Sequence, residues 1–187
     1  MRHALAPALL ILGLCQSAAI QAGWNPFREE AAASRPTAKD HEVAAAIAAF
    51  RAKDPDMKVF FDKAYGYAVF PTVGKGGIGI GGAYGKGEVF VRGRHVGYTS
   101  LSQLTIGFQF GGQAYSEIIF FRDKATMEDF QAGNFEFSAQ ASAVAATAGA
   151  SADADYSNGV AIFTLAKGGL MYEASVGGQK FSFTPRK

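Results

Sequence analysis

The sequence is poor in the residues from which most catalytic and metal centres are built. Of its 187 residues one is cysteine (Cys15), one is tryptophan (Trp24) and three are histidine. Cys15 falls in an N-terminal segment that reads as a cleaved leader. The remaining chain then has no disulfide and no thiolate nucleophile, whatever its redox compartment. His41 and His95 are the histidines left, far apart in sequence and without a cysteine beside them, so no metal site is expected. No G-x-S-x-G occurs, and only those two imidazoles could serve as base, so a hydrolytic triad has no support. The phosphate-cradling G-x-x-x-x-G-K-[ST] is also absent. No apolar run approaches the roughly 20 residues that a membrane-spanning helix needs. Neither sign of charge is in excess: 18 Lys+Arg stand against 16 Asp+Glu, a net +2. That balance gives no ground for nucleic-acid binding. No enzyme and no cofactor are expected.

What is present begins with the leader. Residues 1–22 read MRHALAPALLILGLCQSAAIQA, with Arg2 at the start, an apolar run from Leu9 to Leu14 and small residues after it. This is the order of a secretory signal peptide, with cleavage after Ala22 or, as a second choice, Ala19. Lipidation at Cys15 is the rival reading, but it needs a small residue at the position held by Leu14. Export places the mature chain in the periplasm. Losing the leader removes Arg2 and leaves 17 basic against 16 acidic side chains, a net +1. Residues 23–36, with Trp24, Pro26, Phe27 and Pro36, read as a linker, and 37–187 as one domain.

Two helices open that domain. Thr37 is a candidate N-cap, and Val43, Ile47 and Phe50 share one face. Asp54 caps a second helix with Pro55 at its first position. Met57, Phe60, Phe61 and Ala64 repeat at helical spacing, and Gly66 stops the helix. Such a face packs on a sheet or lies on a membrane. From Tyr67 the period becomes two. Strands are expected at 67–70, 77–84, 88–92, 95–100, 105–110 and 115–121, with Gly85 to Gly87 as a turn. A short helix capped by Asp123 and ended by Gly133 interrupts them. Alternation resumes over 134–147, and three further strands at 160–166, 170–176 and 179–183 are joined by glycine turns. The fold class is α+β: a large curved antiparallel β-sheet or partial barrel, with two N-terminal helices and one short inserted helix.

Gly74, Gly76 and Gly79 spell G-x-G-x-x-G, but they run into a strand rather than a helix, and positions 97–101 hold no acid for a ribose. Tight turns and close backbone approach explain them, leaving a glycine-floored sheet face over Gly76, Gly77, Gly79, Gly81 and Gly82. Glu117 and Glu173 sit in apolar strands. They either face solvent or a cation, or form a buried carboxylate pair. Charge is uneven: Lys75 to Arg94 carries a net +3 and Asp123 to Asp155 a net −5.

The run AYGYAVFPTVGKGGIGIGGAYGKGEVFV (64–91) resembles the opening of the SYLF domain, also called the yeast-type actin-binding domain. GFQFGGQAYSEIIFF (107–121), DFQAGNFEFSAQASAVAATAG (129–149) and AKGGLMYEASVGGQKF (166–181) are similar to its later blocks. The resemblance covers residues 43–183 and is nearest to stand-alone bacterial members with a signal sequence. It implies a non-enzymatic, lipid-binding role. Eukaryotic relatives bind phosphoinositides and some bind actin. Actin has no place in a periplasm, and anionic bacterial phospholipid is the natural substitute there. Two departures bear on this. Gly97-Tyr98 stands where eukaryotic members have a Trp, and residues 28–63 balance seven basic against seven acidic side chains. The expected lipid site is a basic rim of Lys75, Lys86, Arg92 and Arg94, with Phe60, Phe61 or the glycine floor meeting acyl chains. The alternative is an integral outer-membrane β-barrel, suggested by glycine-rich strands with 16 Phe and 7 Tyr. Its strands would need about 9–11 residues each.

Overall fold

The computed structural model of the chain describes residues 38–107, 112–133, 135–138, 142–168 and 174–187. The expected leader, the linker, Thr37, Phe108, Phe110 and Glu173 lie outside the described residues. Helix α1 is Ala38–Lys53, a 3-10 turn Pro55–Met57 follows, and α2 is Lys58–Lys63. Strands β1 (Gly66–Val91), β2 (Arg94–Gly107) and β3 (Gln113–Phe121) come next, then helix α3 (Lys124–Gln131). The chain ends with β4 (Ser142–Ala145), β5 (Val160–Gly168), β6 (Ala174–Ser175) and β7 (Lys180–Pro185). The caps stand where the sequence places them. Asp54 accepts from the Asp56 N–H at 3.2 Å and Asp123 from the Thr126 N–H at 3.0 Å, each filling an orphan donor of the first turn.

The sheet order is β6-β4-β5-β3-β1-β2-β7. Its two edges, β6 and β7, are neighbours in sequence, since β6 ends at Ser175 and β7 begins at Lys180. So short a link between opposite edges forces the sheet to curl, and it stays open rather than closing into a barrel. The expectation of a wholly antiparallel sheet is corrected at one place: β4 pairs with β5 in parallel, Val144 opposite Phe163. A parallel pair needs a crossover of about a dozen residues or more, and the segment between Ala145 and Val160 supplies that length.

β1 also departs from expectation. Gly85 to Gly87 is not a turn but lies inside the strand. The reversal comes earlier, where Gly77 has φ +148° and a Cβ on it would lie 2.2 Å from the Gly81 Cα. The two arms of β1 then lie against each other. The Arg92 N–H donates to the Tyr65 carbonyl at 3.2 Å, and a Cβ on Gly87 would lie 2.4 Å from the Val69 carbonyl oxygen and 2.9 Å from the Phe70 ring. Only glycine permits that approach. Gly87→Ala is expected to cost about 2–3 kcal/mol as the arms are forced apart. Urea unfolding checks this, and an unchanged midpoint would contradict the close approach.

The first arm pairs β3 (Gly66 opposite Phe121) and the second pairs β2 (Glu88 opposite Tyr98). Both faces of the sheet are covered around β3. On the concave side Ala68, Phe70, Val73, Leu101, Tyr115, Ile119 and Phe121 meet Met127 and Phe130 of α3 and Phe181 of β7. On the other side Val69, Ile118, Phe120 and Phe163 meet Val43 and Phe50 of α1, and Met57 and Phe60. β3 runs between the two cores, which is why its sequence is apolar at nearly every position instead of alternating.

Candidate functional site

The four expected rim cations do not come together. Lys86 is exposed on the outer face of β1, opposite Ser100. Arg92 and Arg94 are exposed around the turn from β1 to β2, where Arg92 has φ 49° and its guanidinium lies 5.5 Å over the Tyr65 ring. Lys75 sits at the opposite end of the sheet. It is nine positions along from Gly66, which lies beside the Arg92 turn, a separation of about 30 Å at roughly 3.3 Å per residue. Its side chain is half-buried and shares the concave face with Val73. Burial lowers its pKa, and the Glu117 carboxylate partly offsets that.

Phe60 and Phe61 belong to an aromatic cluster between α2 and the sheet. Phe60 is buried, its ring 5.0 Å from Phe163 and 5.5 Å from both Phe120 and Tyr156. Phe61 is half-buried, 4.9 Å from Phe120 edge-on, with the Arg51 guanidinium 4.2 Å over its ring. Of the two readings of this helix face, packing on the sheet is the one observed. In this conformation Phe60 offers no free face to an acyl chain.

The glycine segment leads to a surface that the sequence reading did not single out. Gly76, Gly77, Gly81 and Gly82 are half-buried around the reversal of β1, and Gly79 pairs with Gly107. Beyond the reversal, even-numbered residues of β1 face outward beside their β2 partners. Ile80, Tyr84 and Leu104 share that face and are 69%, 54% and 74% exposed. Leu104 stands opposite Gly82, which has no side chain to cover it. Lys86 follows two residues after Tyr84 on the same face. The signal was available in the alternation Ile80-Gly-Gly82, but whether a neighbour covers a strand face is not a local property.

Inside the curl lies a polar cluster. Glu117 is fully buried, and its Oε2 accepts from the Gln179 side-chain amide at 3.1 Å. The same amide lies 3.4 Å from the Tyr115 hydroxyl. Burial pushes the Glu117 carboxyl up to about 8, against the opposing pull of the Gln179 hydrogen bond and the Lys75 ammonium. Burial and then the Glu117 charge push the Tyr115 phenol up as well. Glu117 does not face solvent: it is buried, with Lys75 as a nearby charge. The expected partner Glu173 lies outside the described residues. The cluster can hold or release a proton, and among the described residues no activated nucleophile stands beside it.

The span from β2 to β7 has known counterparts. Residues 102–186 match the Ysc84 family, described as a Las17-binding protein actin regulator. Over 131 residues the chain is 32% identical to Beta cell expansion factor A of Aeromonas veronii, an alignment covering 69% of this chain and 49% of that protein. Residues 102–186 thus carry the domain of this family, the SYLF domain that the sequence resembles. It spans about half the length of the curated relative it matches. The matched span of the SYLF domain includes Leu104, Tyr115, Glu117 and Gln179, whereas β1 and the N-terminal helices precede it.

Proposed function

We propose that this SYLF protein binds phospholipid at a membrane surface of the periplasm, and that the outer face of the β1–β2 hairpin makes the contact. The observation that carries the reading is the exposed group Ile80, Tyr84 and Leu104 beside Lys86. Apolar side chains held out from a sheet are what an interaction surface presents. Fully transferring an Ile or Leu from water to hydrocarbon is worth about 1.5–3 kcal/mol, and a tyrosine suits the interface between water and lipid. Lys86 adds about 1 kcal/mol toward an anionic headgroup. Among the four cations of the basic rim, Lys86 alone shares this face. Arg92 and Arg94 lie at the far end of β1 and Lys75 faces the curl, so salt sensitivity is expected to be modest. Phe60 and Phe61 would contact acyl chains only after α2 leaves the sheet.

An integral outer-membrane barrel requires a closed sheet with a lipid-facing apolar outer wall. Here the sheet is open, and α1 packs on its outer side over the buried Glu88. No described helix is long and apolar enough to cross a membrane. The actin-related partners in the family's description are not carried over to this chain.

The test is co-flotation with vesicles of phosphatidylethanolamine and phosphatidylglycerol, and of phosphatidylcholine alone, across a salt series. Wild-type protein is expected to float with the anionic vesicles. The Ile80→Ser/Leu104→Ser double variant should bind at least tenfold more weakly, and Lys86→Gln only a few-fold. Equal flotation of the double variant would move the contact elsewhere. No flotation of wild type with either vesicle would overturn the lipid reading.

A further inference from the structure

Further along the outer face of the hairpin, beneath α1, three potential ligands from three elements converge. Asp40 comes from the first turn of α1, Glu88 from the outer face of β1 and His95 from the start of β2. One carboxylate oxygen of each acid and one ring nitrogen lie within 4.8 Å of one another. The Glu88 and His95 side chains are only 4% and 10% exposed, and His95 Nδ1 is 3.9 Å from Glu88 Oε2. The other ring nitrogen, Nε2, lies 3.0 Å from the Gly97 carbonyl oxygen. A carbonyl only accepts, so Nε2 carries the proton and Nδ1 turns its lone pair toward the carboxylates. An imidazole lone pair and two acid side chains then face one small volume, an arrangement that calls for a cation. The protein supplies a stand-in: the exposed Arg186, just past β7, places its Nη1 at 3.1 Å from Nδ1, where it donates to that lone pair.

We propose that Asp40, Glu88 and His95 form a binding site for a divalent first-row metal, zinc in the first instance, which displaces the Arg186 guanidinium from His95. One imidazole with two carboxylates suits zinc, whereas magnesium and calcium prefer all-oxygen shells. The bond from Nε2–H to a backbone carbonyl is the outer-shell contact that ligating histidines make to fix ring and tautomer. Zinc holds nitrogen and oxygen at about 2.0–2.1 Å, which puts tetrahedral donors about 3.4 Å apart. The His95–Glu88 separation of 3.9 Å is about 0.5 Å longer than that. Water completes the shell on the exposed side, where Asp40 sits. The bound ion would fasten α1 to the β1–β2 hairpin, so metal binding is coupled to how firmly that helix is held.

Titration calorimetry of the tag-free protein with zinc chloride tests this, alongside calcium chloride as comparator. The expected result is one zinc per chain, no comparable calcium binding and a raised Tm with zinc. His95→Gln and Asp40→Asn should each weaken zinc binding about tenfold or more. Asp40→Asn is a half-exposed position, so it keeps the test valid if His95→Gln unfolds, which circular dichroism reports. Arg186→Ala removes the competing cation and should tighten zinc binding, an outcome that adventitious surface binding does not produce. Absence of saturable zinc binding, or equal binding by wild type and Asp40→Asn, would overturn the proposal.

Discussion

Glu117→Gln is expected to flatten the pH dependence of stability and to make the protein more stable than wild type by several kcal/mol at pH 9. Glu117 is fully buried in the curl, and burial lifts its carboxyl from 4.5 to about 8. The folded protein therefore keeps a proton that the unfolded chain releases at about pH 4.5. Between those two values the native state binds more protons than the unfolded state, so stability falls as pH rises. The full contribution is present below about pH 4.5 and is lost on the way to about pH 8, at up to roughly 1.4 kcal/mol per pH unit. Above that, the folded protein carries a buried charge. Lys75 moderates the cost, as its ammonium lies near enough to pull the Glu117 pKa back down. Glutamine keeps the size and hydrogen-bonding capacity of a neutral acid and never ionises. It also offers an amide N–H to the Gln179 carbonyl oxygen, which lacks a partner among the described residues, as does Glu117 Oε1. Urea unfolding of both proteins from pH 5 to 9 makes the comparison. Parallel profiles would show that Glu117 does not titrate in this window.

Asp54→Ala should cost about 4 kcal/mol, more than an ordinary lost helix cap. Asp54 is fully buried, and its carboxylate accepts from three backbone N–H groups: Asp56 at 3.2 Å, Gly149 at 3.3 Å and Ser151 at 2.8 Å. The first is the cap of the turn before α2. The other two tie the segment that leads from β4 toward β5, about a hundred residues away, to the junction of α1 and α2. A lost cap costs about 1 kcal/mol, and hydrogen bonds to a charged acceptor are worth about 1.5–3 kcal/mol each. Alanine leaves all three donors unmade. Asp54→Asn should cost about half as much. Its remaining oxygen can serve Asp56 and Gly149, which share Oδ1, while the amide nitrogen meets the Ser151 N–H donor to donor. Urea midpoints rank the three proteins, and hydrogen exchange at Ser151 reads the lost bond directly. An Asn variant as destabilised as Ala would mean that the negative charge, not the geometry, is what matters.

The zinc site shows why residues distant in sequence escape a linear reading. His95 has no second acidic or imidazole side chain in its own strand. It finds Asp40 and Glu88 because α1 packs over the strand that pairs with β2. Lys75, Lys86, Arg92 and Arg94, close in sequence, are spread over the sheet for a related reason. Strand residues close in number point to alternate faces, and the fold-back of β1 sends Lys75 to one end of the sheet and the arginines to the other.

Local physics alone determined the elements and several of their ends. Val43 and Phe50 recur at helical spacing in α1, Asp54 and Asp123 cap the helices they precede, and the apolar run of β3 marks a doubly covered strand. Side-chain period, cap chemistry and hydropathy are properties of a short window, so they are written in the residues themselves. Tertiary structure decided where β1 folds back, that β4 runs parallel to β5, that Glu117 is enclosed while Ile80 and Leu104 are left bare, and which cations share a face. A glycine satisfies a turn and a close approach equally well, so Gly77 and Gly87 look alike in sequence. Which role each takes depends on the strand that comes to lie against it.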